Sequence, residues 1–230
     1  HFRIGNVPIH KDRAIFLREN KVNLGLGRNF VDVSFVSRGE YYMSISGDNA
    51  DSKESILNIL KEMNVPVLKI SSFHLTDDYL LTKSAESNIP IILSTGMSTI
   101  EEVDHAVVLL KSLNAKFAVL QCTSSYPTAL ENVHLSVIGE FKRKYNCVVG
   151  YSGHENGVSI AACSIFFGGS IIEKHFTLDR TMKGPDHAAS LEVSGLRMLV
   201  ERLREQEIAI GNSHKEVLEC EKANLKKFRN

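Results

Sequence analysis

Short apolar segments alternate with helical patterns from Val65 onward, and this alternation restricts the possible folds more than any other feature of the chain. The apolar segments are "VPVLKIS" (65–71), "IPIILST" (89–95), "KFAVLQCT" (116–123), "NCVVGYS" (146–152) and "SIIEKHF" (170–176). Strands that are apolar throughout and separated by helices are typical of a parallel sheet covered on both faces. Units of about 25–30 residues match the repeat of a TIM-type (β/α)8 barrel, so we predict that architecture.

The segments between these strands carry helix signals. In "TIEEVDHAVVLLKSL" (99–113), Thr99 is a candidate N-cap and Glu102 completes a capping box. Helical periodicity also runs through 194–212, and 157–169 indicates a buried helix that ends at glycines. An open doubly wound sheet is the alternative, which is less favoured because no glycine-rich dinucleotide loop follows any strand.

The first 66 residues are less regular than the rest. Candidate elements there are strands at 30–37 and 41–46, a hairpin formed by 2–9 and 14–20, and a helix capped by Asp51. Three complete barrel units would need roughly 80 residues, and only one strand–helix unit is visible. We therefore predict an α/β barrel that is incomplete or irregular in its first three units, with 67–212 forming the βα units of its C-terminal part.

Composition and charge exclude several classes of function. Lys and Arg total 27, as do Asp and Glu, so the formal net charge is zero and no global basic field attracts nucleic acid or an anionic membrane. No apolar stretch approaches the ~18 residues of a membrane span, and the N-terminus lacks a signal-peptide pattern. The four cysteines show no CxxC spacing, and three of them lie in apolar segments, as suits buried thiols of a reducing compartment. We expect a soluble, cytoplasmic protein without a nucleic-acid or membrane partner.

Polar side chains follow each predicted strand at its C-terminal end. They are Lys69, Ser72, Ser94, Thr95, Thr123, Ser124, Tyr126, Ser152, His154, Lys174 and His175. In a parallel barrel these ends face the active site, so we expect a polar ring on an apolar scaffold. His154 and His175 close successive strands, which lie ~4.7–4.9 Å apart in a sheet, so the two imidazoles could share one divalent ion and leave positions for water and substrate oxygens.

Each of these residues also has a structural interpretation. His154 could be a hydrogen-bonding loop residue and His175 a satisfied strand-end residue. Lys69 interrupts an apolar segment, so it should face an anion that belongs either to a ligand or to a structural Asp or Glu. The serines also suit ordinary turn chemistry. Asp186, in "KGPDH", is either a general base or substrate-hydroxyl acceptor, or a turn residue.

Four ordered motifs resemble those of one enzyme family. They are "ILSTGMSTIEEV" (92–103), "LQCTSSYPT" (120–128), "VGYSGHENG" (149–157) and "IIEKHFTLDRTMKGPDHAASLE" (171–192). Through them, residues 65–224 resemble the catalytic barrel of the sialic acid synthases, also called N-acetylneuraminate synthases. The tail "ECEKANLKKFRN" resembles the segment that leads into that family's C-terminal antifreeze-like domain. Residues 213–230 are therefore expected to begin a linker to a domain that is absent here.

The resemblance implies condensation of phosphoenolpyruvate with an amino sugar of the N-acetylmannosamine type, giving a nine-carbon acid and phosphate. It implies that His154 and His175 hold a divalent metal, usually Mn²⁺, with Mg²⁺ or Co²⁺ as alternatives, which polarises the aldehyde oxygen. Positions that match phosphoenolpyruvate contacts are Lys69, Ser72, Ser94, Ser152 and Tyr126. Ser124 matches an asparagine in some members and is expected to bind substrate as well. Asp186 matches the acid that meets the amino sugar, and with Lys69 and the two histidines it makes up the expected catalytic set. The family also implies a homodimer.

The N-terminal third departs from the family pattern. The first-strand motif is at best a distorted "RENKVNLGLG" (18–27), with Glu19 and Asn23 as relics, and the second-strand Lys-Phe-Gln has no counterpart. "SISGDNAD" (44–51) replaces the third-strand motif, and His74 stands where an acid is usual. The lost charge complementarity supports a competing hypothesis, a catalytically impaired relic that keeps a metal or anion site. A different metal-dependent aldolase or lyase would require the motif match to be coincidental.

Overall fold

Eight strands in a computed structural model of the chain are hydrogen-bonded in chain order into a closed barrel. The structure describes residues 14–18, 30–36, 41–46, 57–58, 60–62, 65–182 and 186–229. The strands are β1 (Ala14–Arg18), β2 (Phe30–Val36), β3 (Tyr41–Ser46), β4 (Leu68–Ile70), β5 (Ile91–Ser94), β6 (Phe117–Cys122), β7 (Val148–Gly153) and β8 (Ile171–His175). All five strands predicted after Val65 are therefore present.

One strand of the barrel runs opposite to the other seven. Strands β3 to β8 pair in parallel, and β8 also pairs in parallel with β1. β2 runs antiparallel to both of its neighbours. The five parallel strands from β4 to β8, with their helices, confirm the predicted α/β class. The antiparallel β2 makes the N-terminal part of the barrel irregular. The strands predicted at 30–37 and 41–46 are confirmed as β2 and β3. Several predicted features lie outside the described residues. They are the arm at 2–9 of the predicted hairpin, Glu19, Asn23 and Asp51.

In the described part of the chain, four helices connect the parallel strands, and two more follow the last strand. They are α1 (Asp78–Glu86), α2 (Ile100–Ser112), α3 (Ser136–Tyr145), α4 (Ser159–Cys163), α5 (Val193–Ile210) and α6 (Lys222–Phe228). The capping box predicted for α2 is confirmed, because Thr99 accepts from the Glu102 amide and the Glu102 side chain accepts from the Thr99 amide. The helix predicted at 157–169 is shorter, since α4 passes into a 3₁₀ turn at Ser164–Phe167.

Side chains alternate between the two faces of each strand. Outward residues such as Leu93, Val119 and Ile172 belong to the large core shared with the helices. Inward residues at the lower levels of the barrel form a small apolar cluster of Ile92, Ala118, Leu120 and Ile171, with Val67 packed against it. At the C-terminal strand ends, polar residues take the place of these apolar ones. The apolar cluster therefore lies beneath a polar opening at that end, which we call the mouth of the barrel. Among the described residues, no helix has the length and hydropathy needed to cross a bilayer.

Candidate active site

A cavity opens at the C-terminal ends of β4 to β8. It is lined by Lys69, Ser71, Ser72, Phe73, Ser94, Cys122, Ser124, Tyr126, Ser152, His154 and Glu173. Seven of the nine residues predicted for the site lie on this lining. The remaining two, His175 and Asp186, lie beside it. Since the strands are parallel, their C-terminal ends meet at one end of the barrel, and residues far apart in sequence converge there.

The two predicted metal ligands lie close together under an aromatic ring. The ring centroids of His154 and His175 are 5.1 Å apart, and both residues are buried. The Tyr126 ring lies 4.0 Å from that of His154 and 5.6 Å from that of His175. Tyr126 is 41% exposed, so it forms a wall between the histidines and solvent.

The hydrogen bonding of His154 determines its tautomer. Its Nδ1 lies 2.8 Å from the Thr123 carbonyl oxygen. A carbonyl can only accept, so Nδ1 donates and the neutral ring keeps a lone pair on Nε2. This arrangement is typical of a metal-ligating histidine, whose other ring nitrogen is held by the protein.

A divalent ion would need further ligands beyond the two histidines. Within the described residues there is no group of three or more His, Cys, Asp or Glu side chains suited to a metal. The residues therefore fit an ion that has two protein ligands and takes its remaining ligands from water or substrate, as in open catalytic sites. The metal itself stays a prediction.

Lys69 lies inside the barrel beside a carboxylate that the sequence analysis did not select. Its Nζ is 3.5 Å from Glu173 Oε1, and the side chains are 6% and 5% exposed. The Ser152 hydroxyl donates to the same oxygen at 2.8 Å. Of the two interpretations of Lys69, the structural acid is thus present, and the lysine also lines the cavity where a ligand anion would lie. Glu173, Lys69 and Ser152 form one buried polar network.

Three hydroxyls near the cavity come from different strand ends. The Gly96 amide donates to Ser72 Oγ at 2.9 Å. A Cβ added at Gly96 would lie 2.2 Å from Ser124 Oγ and 3.0 Å from Ser72 Oγ. Glycine at 96 therefore allows the two hydroxyls to approach one point. Ser94 is 2% exposed, and its Oγ has no hydrogen-bond partner within the described part of the chain, so it is available to a ligand.

Asp186 lies at the edge of the site. Its Oδ2 is 4.0 Å from His175 Nδ1, and its side chain is 43% exposed. The preceding residues 183–185 lie outside the described part of the chain. Asp186 is thus near the histidines and open to solvent, where it can meet a substrate that enters the mouth.

Two further residues bear on the chemistry of the site. Lys174, which the sequence places at a strand end with His175, points to the outer face and pairs with Glu155. Cys122 lies in the cavity lining, where burial raises its thiol pKa and outweighs the lowering by hydrogen bonds and by Lys69. The thiol therefore stays protonated at neutral pH, which argues against a thiolate nucleophile.

Sequence reasoning missed Glu173 and Cys122 as lining residues. The signal for Glu173 was its charge within the apolar segment "SIIEKHF" (170–176), as Lys69 was noticed within "VPVLKIS" (65–71). Cys122 carried no comparable signal, because a cysteine in an apolar strand is ordinarily a core residue.

Comparison with known proteins identifies the relatives of this chain. A profile of the NeuB family matches residues 50–215. The N-acetylneuraminate-9-phosphate synthase of Homo sapiens is 39% identical over 171 residues, which cover 74% of this chain and 48% of that protein. The N,N'-diacetyllegionaminic acid synthase of Campylobacter jejuni is 37% identical over 172 residues, covering 74% of this chain and 52% of that protein. The chain spans about half the length of the curated relatives it matches.

Solved structures agree with these matches. The N-acetylneuraminic acid synthetase of Leptospira borgpetersenii, crystallised with citrate, is 36% identical with a TM-score of 0.69, covering 74% of this chain and 60% of that chain. A truncated 3-deoxy-D-arabino-heptulosonate 7-phosphate synthase of Thermotoga maritima is 18% identical with a TM-score of 0.63, covering 74% of this chain and 66% of that chain. The second likeness shows the fold alone.

Proposed function

This chain belongs to the NeuB family, and on that premise we propose that it condenses phosphoenolpyruvate with an open-chain amino sugar to give a nonulosonic acid and phosphate. The relatives are named for N-acetylneuraminate 9-phosphate and for N,N'-diacetyllegionaminic acid. Because these products differ, we propose the sugar only as a class, an N-acetylmannosamine-type aldehyde.

One observation carries this proposal: polar residues from five strand ends converge on one mouth of the barrel. They supply a buried ammonium on Lys69 and several hydroxyls, next to two imidazoles 5.1 Å apart. An ammonium with clustered hydroxyl donors suits a small molecule that bears a carboxylate and a phosphate, because charge-assisted hydrogen bonds are the strong ones.

The proposed roles follow from these positions. Lys69 and the hydroxyls of Ser72, Ser94 and Ser124 bind the two acidic groups of phosphoenolpyruvate and offset the charge that develops there during the reaction. Ser152 belongs to the same site and orients the Glu173 carboxylate beside Lys69.

The sugar is proposed to bind on the histidine side of the mouth. Tyr126 covers that side, and Asp186 accepts a hydrogen bond from a sugar hydroxyl. A divalent ion, proposed to be Mn²⁺ with Mg²⁺ or Co²⁺ as alternatives, would be held by His154 and His175 and would polarise the aldehyde oxygen as a Lewis acid.

Phosphate release tests the proposal directly. The chain is incubated with phosphoenolpyruvate, N-acetylmannosamine and Mn²⁺, and inorganic phosphate is measured over time. We expect release that requires both substrates and is lost in His154→Ala. His105→Ala is the matched control, because this exposed histidine lies outside the cavity and contacts Asp78 on the outer surface. Release no greater than that of His154→Ala would refute the proposal.

The competing proposal is the impaired relic, which rests on the altered N-terminal motifs. It predicts that phosphoenolpyruvate binds in calorimetry while no phosphate is released with any amino sugar of this class.

We also propose that the protein is cytoplasmic and forms a homodimer. All four cysteines are free, as is usual for a protein of a reducing compartment. Light scattering coupled to size-exclusion chromatography measures the mass in solution and decides between dimer and monomer.

A further inference from the structure

Lys174 and Glu155 form a buried ion pair on the outer face of the barrel, next in sequence to the two histidines. Lys174 Nζ is 3.2 Å from Glu155 Oε1, and the side chains are 1% and 0% exposed. The ammonium also donates to the main-chain carbonyl of Glu155 at 2.5 Å. Tyr151 Oη donates to Glu155 Oε2 at 2.8 Å. The lysine of β8 therefore holds both the side chain and the backbone of the residue at 155.

The pair is adjacent in sequence to both predicted metal ligands. Glu155 directly follows His154, and Lys174 directly precedes His175. The ladder between β7 and β8 ends at the pairing of Gly153 with Lys174, so both histidines lie beyond its last paired residues. The ion pair continues the connection between the two strands where the ladder stops.

The Glu155 carboxylate is closely packed against Gly153 and Tyr151, so a side chain at position 153 would not fit. A Cβ added at Gly153 would lie 2.5 Å from Glu155 Oε2 and 2.5 Å from Tyr151 Cε1. The carboxylate thus occupies the space of a side chain at 153. Burying two charges is costly, and well-packed apolar residues often serve stability as well or better. Stability alone is therefore a weak explanation for the pair. A stronger explanation is that the pair joins the two residues that are adjacent in sequence to the histidines.

We propose that the Lys174–Glu155 pair is a positioning element that sets the separation of His154 and His175, and thereby the affinity of the site for a divalent ion. This inference rests on the proposed function for the ion, while the link between the two strands rests on the geometry alone. Neither residue of the pair is among those that line the cavity.

Lys174→Met removes the link while keeping a long side chain. Two readouts are compared with the unaltered chain: Mn²⁺ affinity, from the electron paramagnetic resonance signal of free Mn²⁺, and the imidazole resonances of His154 and His175 in metal-free protein. We expect Mn²⁺ to bind about 10- to 100-fold more weakly, the range measured when outer-shell partners of metal ligands are removed. We expect both imidazole resonances to shift.

The chain offers a matched control. Lys144 Nζ is 2.7 Å from Asp104 Oδ2, and Tyr145 Oη donates to Asp104 Oδ1 at 2.9 Å. This second lysine–carboxylate–tyrosine group joins α2 to α3, away from the histidines. Lys144→Met should leave the Mn²⁺ affinity and both imidazole resonances unchanged.

A second variant covers the case in which Lys174→Met does not fold, as judged by circular dichroism. Tyr151→Phe removes only the hydroxyl that orients Glu155, and it should weaken Mn²⁺ binding in the same direction by a smaller factor. Folded variants with unaltered Mn²⁺ affinity and unaltered imidazole resonances would overturn the inference. If the unaltered chain binds no Mn²⁺, the metal part of the proposed function fails, and the imidazole resonances still decide whether the pair positions the histidines.

Discussion

Ser94→Ala is expected to stabilise the chain while weakening its hold on an anionic substrate. Ser94 ends β5 inside the cavity, where it is 2% exposed and its Oγ lacks a hydrogen-bond partner among the described residues. A buried hydroxyl in this state costs about 1–3 kcal/mol. Removing it should raise the free energy of unfolding by ~1 kcal/mol, and the melting temperature by about 2–4 °C for a chain of this size.

The effect on binding has the opposite sign. If the Ser94 hydroxyl donates to a carboxylate or phosphate of phosphoenolpyruvate, that hydrogen bond to a charged group contributes about 1.5–3 kcal/mol. Its loss should raise the dissociation constant of phosphoenolpyruvate about 10- to 100-fold. A residue that only packs in the core would not combine a gain in stability with a loss of binding.

Thermal unfolding and calorimetric titration with phosphoenolpyruvate measure the two effects. Ser84→Ala is the control, because the Ser84 hydroxyl in α1 is also buried without a partner within the described residues and lies outside the cavity. It should raise the melting temperature and leave the dissociation constant unchanged. A Ser94→Ala chain that melts lower, or that binds phosphoenolpyruvate as tightly as before, would refute the reasoning.

Three further predictions concern the scaffold. Gly150→Ala places a Cβ 2.1 Å from the Ile171 carbonyl oxygen, and we expect a loss of about 3 kcal/mol in denaturant unfolding, as for overpacked cores; an unchanged midpoint would contradict this. Thr99→Ala removes the capping box of α2 and should cost about 1 kcal/mol in the same assay, with Thr99→Ser restoring most of it. Burial raises the pKa of Cys147 to about 11, so the rate of its alkylation should keep rising about tenfold per pH unit beyond pH 9. A rate that levels off near pH 8.5 would show instead that the thiol pKa is not raised.

Much of the parallel half of the fold could be predicted from local patterns. Apolar segments bounded by turn residues marked all five strands from β4 to β8, and Thr99 with Glu102 marked the start of α2. The strand-end rule then selected Lys69, Ser94 and His154, because in a parallel sheet every C-terminal end reaches the same side. These inferences needed only sequence neighbours and one rule of topology.

The partners of these residues could not be predicted in the same way. Lys69 and Glu173 are far apart in the chain, and their contact depends on which face of β4 and β8 each side chain takes. Consecutive side chains on β8 point to opposite faces of the sheet, so Glu173 points into the cavity while Lys174 points to the outer face. A shift of one residue in the register would exchange them. The antiparallel direction of β2 is likewise visible only in its pairing with β1 and β3, and the sequence analysis did not predict it.

The pairing of β1 with β8 has a consequence for the order of events during synthesis. Ala14 and Ile171 are opposite each other in the pairing of β1 with β8, although nearly the whole barrel separates them in the chain. Contacts of such long sequence separation form late in folding, and a growing chain cannot make them until β8 has left the ribosome. The same strand carries Glu173 and His175. Until it arrives, the Lys69 ammonium has no Glu173 carboxylate beside it and His154 has no second imidazole, so only the completed barrel brings the residues of the candidate site together.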